Sequence, residues 1–212
     1  MRFLPHRRDS AGALNACYGG ALYGVGFAGW KRMIVGWLVA GMVLLGHLAS
    51  GSGATVAPEY QIKAQLLVNL ATFTTWPAGT FKTTNSPIVI GIVGKDPFEQ
   101  FLVKAVEARA RGGRPLKLKH VGTDAEMKEC HILFVASSER RRLKELKTRW
   151  KGAPFLTVGE ADEFLDNGGI INFVLKGQLV RFEISLESAK AAGLKLDAKL
   201  LSVADSVRGK YD

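Results

Sequence analysis

The sequence predicts an α/β fold in which helices flank a mixed, mostly parallel β-sheet, with a C-terminal antiparallel hairpin and closing helices. Two observations predict it. Short apolar runs alternate with segments of helical periodicity along most of the chain, which is typical of parallel strands covered on both faces. Near the C-terminus, two strand-like runs flank Lys176-Gly177-Gln178, which indicates a hairpin. Hydrophobic residues make up 47% of the chain and charged residues 23%, a globular composition.

Residues 1–54 are predicted to be a leader that contains a signal peptide. Lys31-Arg32 precede an uncharged apolar run from Met33 to Leu48, and small residues follow, with Ser52 and Ala54 suited to the −3 and −1 positions of a cleavage site. The run of about 16 residues is shorter than the ~20 that a membrane span needs. We therefore expect export, cleavage near Ala54 and one domain over 55–212. An uncleaved anchor and a start at Met33 remain alternatives.

Charge and cysteine content limit the function classes only in part. The whole chain carries a net charge of +10, and residues 55–212 keep 24 basic and 18 acidic residues, a net charge of +6. A domain of this charge could meet nucleic acid, an anionic membrane surface or an acidic protein. Cys17 lies in the predicted leader, so Cys130 is the one cysteine of the expected mature protein, and an internal disulfide is excluded there.

The first predicted helix runs from Pro58, which suits a first helical turn, to about Thr74. Trp76-Pro77 ends it, because a residue before proline avoids the α region. Its predicted apolar side consists of Ile62, Leu66, Val68, Leu70 and Phe73.

Four apolar runs are predicted strands, and the segments between them are predicted helices. The strands are Pro87–Val93, Leu116–Val121, Cys130–Val135 and Phe155–Val158, with the third in a central position. Asp96 is expected to cap a helix that has Pro97 at its first position, and Thr123 and Asp124 open a short helical turn. Ser138 is expected to cap a strongly basic helix with the apolar stripe Leu143, Leu146 and Trp150.

The C-terminal third predicts the hairpin and the end of the fold. A helical turn over Glu160–Leu165 closes at Asn167-Gly168-Gly169. Ile170–Leu175 and Leu179–Ile184 form the hairpin, which is expected to add an antiparallel edge to the sheet. Two closing helices are predicted over about 185–192 and 197–207, the second with Asp197 as N-cap.

No segment predicts catalysis, a cofactor or a bound metal. Gly91-Ile92-Val93-Gly94 lacks the GxGxxG spacing and is interpreted as a plain strand-to-helix turn. Cys130 and His131 are neighbours on a strand, so their side chains point to opposite faces and do not share a metal. Cys130 is predicted to be buried and structural rather than nucleophilic.

Two charged clusters are interpreted as solvated surface. Glu160, Asp162, Glu163 and Asp166 form an acidic patch on a predicted surface helix, which offers no apolar cleft for a carboxylate pair. The basic helix carries Arg140-Arg141-Arg142, Lys144, Lys147 and Arg149 on its outer faces, without the aromatic platform that nucleic-acid binding favours. A docking surface for phospholipid or an acidic partner is the second interpretation of the basic helix.

An ordered series of segments resembles the YfiR-like family of periplasmic regulators. The resemblance covers about residues 59–207. The segments are Phe73-Thr74-Thr75-Trp76-Pro77; Ile90-Gly91-Ile92-Val93-Gly94 with Asp96-Pro97-Phe98; Cys130-His131-Ile132-Leu133-Phe134-Val135 with Ser137-Ser138; Leu156-Thr157-Val158-Gly159; Gly168-Gly169-Ile170-Ile171-Asn172-Phe173; and Val180-Arg181-Phe182-Glu183-Ile184 with Ala189, Ala192-Gly193-Leu194 and Leu200-Leu201.

The resemblance implies a non-enzymatic periplasmic protein that dimerises and represses a membrane-bound diguanylate cyclase through the cyclase's periplasmic sensor region. Release of the cyclase would raise cyclic di-GMP and favour biofilm. Some members of the family use disulfides, and this chain departs from them because only Cys130 follows the leader. The expected partners are thus the cyclase and a second copy of the chain, with no nucleic acid and at most a peripheral association with the membrane. The alternative is a periplasmic protein that binds a small solute or envelope component and assists a transport system.

The hairpin is the predicted docking region. Arg181 and Glu183 alternate with Val180, Phe182 and Ile184, so one face of this strand is charged and could lie at an edge open to a partner. We predict Arg181, Phe182 and Glu183 as partner-binding residues. The alternative is an ordinary amphipathic strand with a cross-strand ion pair.

Overall fold

The computed structural model describes residues 56–109 and 113–210, with side chains from residue 59 onward, and it confirms the predicted fold class. The helices are α1 (Val56–Phe73), α2 (Gln100–Arg109), α3 (Asp124–Lys128), a 3₁₀ helix (Ser137–Arg142), α4 (Leu143–Trp150), α5 (Leu186–Ala191) and α6 (Ala198–Ser202). The strands are β1 (Thr74–Thr75), β2 (Ile88–Val93), β3 (Leu116–Val121), β4 (Ile132–Val135), β5 (Leu156–Gly159), β6 (Ile171–Lys176), β7 (Leu179–Ser185), β8 (Lys195–Leu196) and β9 (Ser206–Arg208). The predicted leader and its cleavage site near Ala54 lie outside the described residues.

A seven-stranded mixed sheet forms the centre of the fold, in the order β3-β2-β4-β5-β6-β7-β9. The first five strands are parallel, β7 runs antiparallel to β6, and β9 runs parallel to β7. β4 occupies the predicted central position. β1 and β8 form a separate antiparallel pair.

Alternate residues of the strands enter two core clusters, one on each face of the sheet. Phe134, Phe173 and Ile184 belong to the first cluster, into which α1, α2, α5 and α6 also pack their apolar residues. Leu133 and Val135 belong to the second cluster with apolar residues of α3 and α4. Because side chains of a strand alternate between faces, Arg181 and Glu183 share the α4 side of the sheet.

The first helix has nearly its predicted bounds, but its buried side differs in part. Ile62, predicted to be apolar core, is 47% exposed, while Ala64 and Leu67 are fully buried. Lys63 is buried as well. The chain leaves the helix at Thr74, whose hydroxyl donates to the Leu70 carbonyl at 2.8 Å and whose backbone pairs with β8. None of the helices that the structure describes combines the length and apolar character needed to cross a bilayer.

The predicted helix starts at Asp96 and Ser138 are wrong, because both side chains accept hydrogen bonds from other backbone amides instead of capping a helix. Asp96 Oδ1 accepts from the Phe98 amide at 2.8 Å in a turn, and Glu99 has a positive φ of 50°, so α2 begins only at Gln100. Ser138 caps no helix; its Oγ accepts from the Lys95 amide at 2.9 Å. The basic segment starts as a 3₁₀ helix after Ala136. The predicted apolar stripe of α4 is confirmed, with Leu143, Leu146 and Trp150 buried.

The second closing helix is shorter than predicted. Asp197 caps it as expected, since its Oδ1 accepts from the Lys199 amide at 2.8 Å. The helix ends at Ser202, and residues 206 and 207, predicted to be helical, belong instead to β9. β9 pairs with β7 along Glu183–Ser185, so strand pairing with a distant segment overrides the local helical pattern.

Candidate functional site

The predicted hairpin is confirmed and positions the three predicted docking residues. β6 and β7 pair with Lys176 opposite Leu179, which leaves Gly177 and Gln178 as a two-residue turn, and Gly177 takes the positive φ of 62° that such turns require. Arg181 is exposed, Glu183 is half-buried, and Phe182 is buried in the first core cluster. The structure therefore presents Arg181 and part of Glu183 at the surface and assigns Phe182 to the core.

The expected antiparallel edge is half covered. β9 lies beyond β7 and pairs with Glu183–Ser185, and the Asp205 amide donates to the Phe182 carbonyl at 2.8 Å. Within the described chain, no strand pairs with the outer side of Leu179–Arg181. Leu179 is 58% exposed and Leu175 is 51% exposed. The pairing register places Leu179 and Arg181 on one face of the hairpin and Leu175 on the other. We call the surface formed by Leu179 and Arg181 the hairpin edge.

The charges near the hairpin edge are unevenly paired. Arg208 of β9 lies 3.8 Å from the Glu183 carboxylate and 2.6 Å from that of Asp166. The expected cross-strand ion pair thus joins Glu183 to β9, whereas Arg181 stands opposite Val174. No carboxylate in the described residues forms an ion pair with Arg181. Its guanidinium is therefore available to an incoming acidic group.

A buried polar cluster contradicts the interpretation of the acidic patch as solvated throughout. Glu160 follows β5, and its side chain is 3% exposed. It accepts from Lys63 Nζ at 2.8 Å, from the Tyr60 hydroxyl at 3.2 Å and from the Ser137 amide at 3.1 Å. Asp162, Glu163 and Asp166 are exposed as expected. We call Tyr60, Lys63, Glu160 and the Ser137 amide the buried polar cluster.

This cluster joins α1 to the carboxyl ends of the parallel strands. Glu59 adds a second carboxylate to Lys63, at 2.5 Å. Burial and the charge of Glu160 raise the pKa of the Tyr60 hydroxyl, so it stays protonated and acts as a donor at neutral pH. Every group of the cluster is bonded within it, which indicates a structural connection. The sequence did not predict that Glu160 is buried, because no feature of the surrounding residues distinguishes it from the exposed acidic residues that follow it.

The turn after β2 is a plain turn, as predicted. Gly94 has a φ of 91°, and an added Cβ there would come within 2.5 Å of Ser138 Oγ and 2.7 Å of Glu139 Cγ. Side chains of the segment that follows β4 thus occupy the space where a phosphate would have to sit. Among the residues described, no group of three or more His, Cys, Asp or Glu side chains is arranged to hold a metal.

Cys130 is buried as predicted, in the second core cluster. Its Sγ donates to the Glu126 carbonyl at 3.3 Å, and burial raises the pKa of the thiol to about 11. Gly91 of the neighbouring strand lies so close that an added Cβ would come within 2.5 Å of this sulfur. The thiol is therefore a packing group that is protonated at neutral pH.

We expect Cys130→Ala to cost at most a few kcal/mol of unfolding free energy and to leave partner binding intact, because it removes one small apolar group. Urea unfolding and thiol labelling provide the test. The native thiol should label slowly and the unfolded one rapidly. Fast native labelling, or loss of function in a stably folded Cys130→Ser variant, would show that the thiol has a functional role.

His131 lies away from Cys130, as predicted, on the opposite side of the strand. Its ring stacks on Phe81 with centroids 4.6 Å apart and meets the edge of Trp76. Nδ1 accepts from the Val89 amide at 3.1 Å. Burial, and then the charge of Arg114, lower the pKa of His131, so the folded protein holds it neutral.

This shift predicts an acid-sensitive contribution to stability. The unfolded chain binds the His131 proton more readily than the folded one, so stability is full above the unfolded pKa of about 6.5 and falls as the pH drops below it. His131→Asn keeps an acceptor for the Val89 amide without titrating. Thermal melts should therefore show a smaller loss between pH 7.5 and pH 5 for the variant than for the parent. Equal losses would assign the acid sensitivity to other groups.

One comparison with known proteins identifies a family. A family model described as DUF4154, YfiR/HmsC-like, matches residues 60–205. No curated protein matches the chain.

Solved structures offer only distant likenesses. One is a conserved domain protein from Vibrio cholerae O1 biovar El Tor, at 12% identity over 70% of this chain and 60% of that chain, with a TM-score of 0.47. Another is an ABC domain in complex with L-Trp from Streptococcus pneumonia, at 11% identity over 68% and 60%, with a TM-score of 0.48. A third is the ligand-free, open CD0873, a substrate binding protein with adhesive properties from Clostridium difficile, at 10% identity over 88% and 97%, with a TM-score of 0.39. The chain spans only about 60% of the first two, and these likenesses carry no argument about function.

Proposed function

Because this chain belongs to the YfiR/HmsC-like family, whose model matches residues 60–205, we propose that it binds and represses a membrane-bound diguanylate cyclase from the periplasm. The family is one of regulators rather than catalysts, and its members are typically periplasmic. Family membership is the observation that carries the proposal. The chain would lower cyclic di-GMP without doing chemistry itself.

Repression of this kind needs only differential binding. A cyclase whose inactive state binds this protein more tightly than its active state is shifted toward the inactive one. The size of the shift equals the difference between the two binding free energies, so no covalent step is required. The proposal includes a homodimer, which would present two copies of the binding surface to a partner.

The hairpin edge supports a specific mode of binding. Leu179–Arg181 exposes a strand edge that carries the apolar side chain of Leu179 and the guanidinium of Arg181, which has no ion-pair partner among the described residues. An extended segment of the cyclase's periplasmic region could add there as a further strand, with backbone hydrogen bonds for affinity and side-chain contacts for specificity. The fitting segment would be extended, partly apolar and acidic.

Deletion of the gene is the direct test of function. Cellular cyclic di-GMP should rise on deletion and return to its former level when the full chain is supplied again. Purified protein should also bind the periplasmic region of a membrane cyclase. Unchanged cyclic di-GMP, together with no cyclase captured by crosslinking in cells, would refute repression and favour the solute-binding alternative.

Export is a separate part of the proposal. N-terminal sequencing of protein from fractionated cells should find a chain that begins just after Ala54 in the periplasmic fraction. Protein in the membrane fraction that retains residues 34–48 would show an uncleaved anchor instead.

A cavity favours the alternative function, binding of a small solute. Its volume is about 230 Å³, and it lies between the α4 end, α5 and the starts of β5 and β6. Apolar side chains, including Trp150, Phe155 and Ile170, line much of it, with Lys147, Lys151 and Glu187 beside them. This is smaller than the ~300–1,000 Å³ of typical ligand pockets. Calorimetric titration with small envelope metabolites tests it, and a saturable heat would support this second candidate.

A further inference from the structure

The cations of the basic segment divide into two flanks with different partners. On one flank, Arg142 binds Glu139 at 2.8 Å and Glu145 at 3.2 Å. Arg149 binds Glu145 at 2.6 Å and Asp124 at 3.2 Å. Glu139 is therefore engaged by Arg142, and Glu145 by both arginines.

The other flank has five exposed cations and few carboxylates. We call it the basic ridge; it consists of Arg140, Arg141, Lys144, Lys147 and Lys151. Lys144, Lys147 and Lys151 follow one another at helical spacing, and Arg140 and Arg141 continue the row into the 3₁₀ helix. Nothing in the repression proposal uses this row.

The acidic residues near the ridge leave it positive. Asp162 meets Arg140 at 3.4 Å, with both side chains mostly exposed. Glu163 shares a shallow depression with Arg140, Arg141 and Lys144, and Glu187 lies in the cavity beside Lys147 and Lys151. Asp166 is engaged by Arg208, and its backbone carbonyl accepts from Lys147 at 3.2 Å. The five ridge cations thus have three carboxylates near them, Asp162, Glu163 and Glu187, so the ridge keeps an excess of positive charge.

The chemistry of the ridge fits lipid headgroups better than a protein. Protein interfaces are enriched in aromatic residues and depleted in lysine, and three of the five ridge residues are lysines. The large exposed apolar residues of the described chain, such as Leu175 and Leu179, lie elsewhere, and Trp150 beneath the ridge is buried. Flexible ammonium groups in a row are what anionic phospholipid surfaces attract.

We propose that the basic ridge docks the protein on an anionic phospholipid bilayer. The ridge and Arg181 lie on the same side of the sheet, so docking would place the hairpin edge near the membrane from which the proposed partner emerges. The inference does not need the cyclase, because it concerns lipid alone.

Vesicle binding by two double variants tests the ridge against the paired flank. Lys144→Gln/Lys151→Gln and Arg142→Gln/Arg149→Gln remove the same charge from the same basic segment, and each pair is exposed. Protein from the soluble fraction of cells expressing the full chain is sedimented with vesicles of phosphatidylglycerol and phosphatidylcholine. Any contribution of residues 1–54 is identical in both variants. Thermal melts confirm that both are folded.

The parent should bind the mixed vesicles, and much less at high salt or with phosphatidylcholine alone. Lys144→Gln/Lys151→Gln, the ridge variant, should bind the mixed vesicles with about 30-fold lower apparent affinity than the parent. Arg142→Gln/Arg149→Gln, the paired-flank variant, should lose only a few-fold. Equal losses would show that net charge rather than the ridge binds lipid. Binding to phosphatidylcholine alone, no binding by the parent, or full competition by inorganic phosphate would each overturn the proposal. Capture of an acidic protein without any lipid binding would assign the ridge to a protein partner. None of these outcomes depends on whether a cyclase is repressed.

Discussion

Lys63→Met should lower the unfolding free energy by about 3–5 kcal/mol, the usual cost of removing one partner from a buried ion pair. Lys63 and Glu160 have side-chain exposures of 5% and 3% and are 2.8 Å apart. Methionine preserves most of the volume, so the loss reports the charge left on Glu160 rather than a cavity. Tyr60 and the Ser137 amide still bond that carboxylate but cannot neutralise it. Urea unfolding monitored by tryptophan fluorescence measures the effect.

Two comparisons separate this explanation from general damage. Lys104→Met on α2 replaces an exposed lysine and should change stability by no more than about 0.5 kcal/mol. Adding Glu160→Gln to Lys63→Met removes both charges of the buried pair, leaves only the less buried Glu59, and should recover part of the loss. A loss that is as large in the double variant as in Lys63→Met would contradict the role assigned to the charge pair.

Arg181→Glu should weaken binding of the cyclase's periplasmic region by about 2–5 kcal/mol, which is about 30-fold or more. The side chain is exposed and makes no ion pair within the described chain, so reversal breaks nothing in the fold. A partner segment that adds beside Leu179–Arg181 would meet a repelling charge at its acidic group. Titration with the purified cyclase region measures affinity, and cyclic di-GMP in cells should rise as we expect it to rise on deletion.

Lys117→Glu is the matched control for Arg181→Glu. Lys117 is an exposed cation on β3, the strand at the opposite edge of the seven-stranded sheet. It changes the net charge by the same amount and should leave binding unaltered. Equal weakening by both variants would indicate a long-range effect of net charge, and full binding by Arg181→Glu would remove the hairpin edge from the interface. Phe182 is unsuitable for this test because its replacement would disturb the core.

Much of the architecture could be predicted from local patterns. The runs Ile88–Val93, Ile132–Val135 and Leu156–Gly159 are mostly apolar and almost entirely buried, as expected of parallel strands that are covered on both faces. The hairpin followed from two alternating runs around Gly177, and the stripe of α4 followed from residues three and four apart. These features depend on residues close in sequence, so one chain contains enough information to find them.

Other features depend on which distant segments meet. β9 is a strand because its backbone pairs with the edge of β7, although the helical pattern of the sequence extends to about residue 207. Ser138 binds the Lys95 amide because the turn after β2 and the segment after β4 end side by side. Ile62 is exposed and Lys63 buried because Glu160, 97 residues away, lies opposite that turn of α1.

The candidate sites divide in the same way. Periodicity and composition alone identified the basic segment, the alternation of Arg181 with apolar neighbours, and the absence of any motif for catalysis. Folding determined that Phe182 belongs to the core, that β9 pairs with Glu183 while no described carboxylate pairs with Arg181, and that Glu160 is buried while its acidic neighbours are not. The physical reason is that burial and ion pairing are set by atoms that meet in space. Residues distant along the chain supply those atoms, so a local sequence pattern cannot predict which of them come into contact.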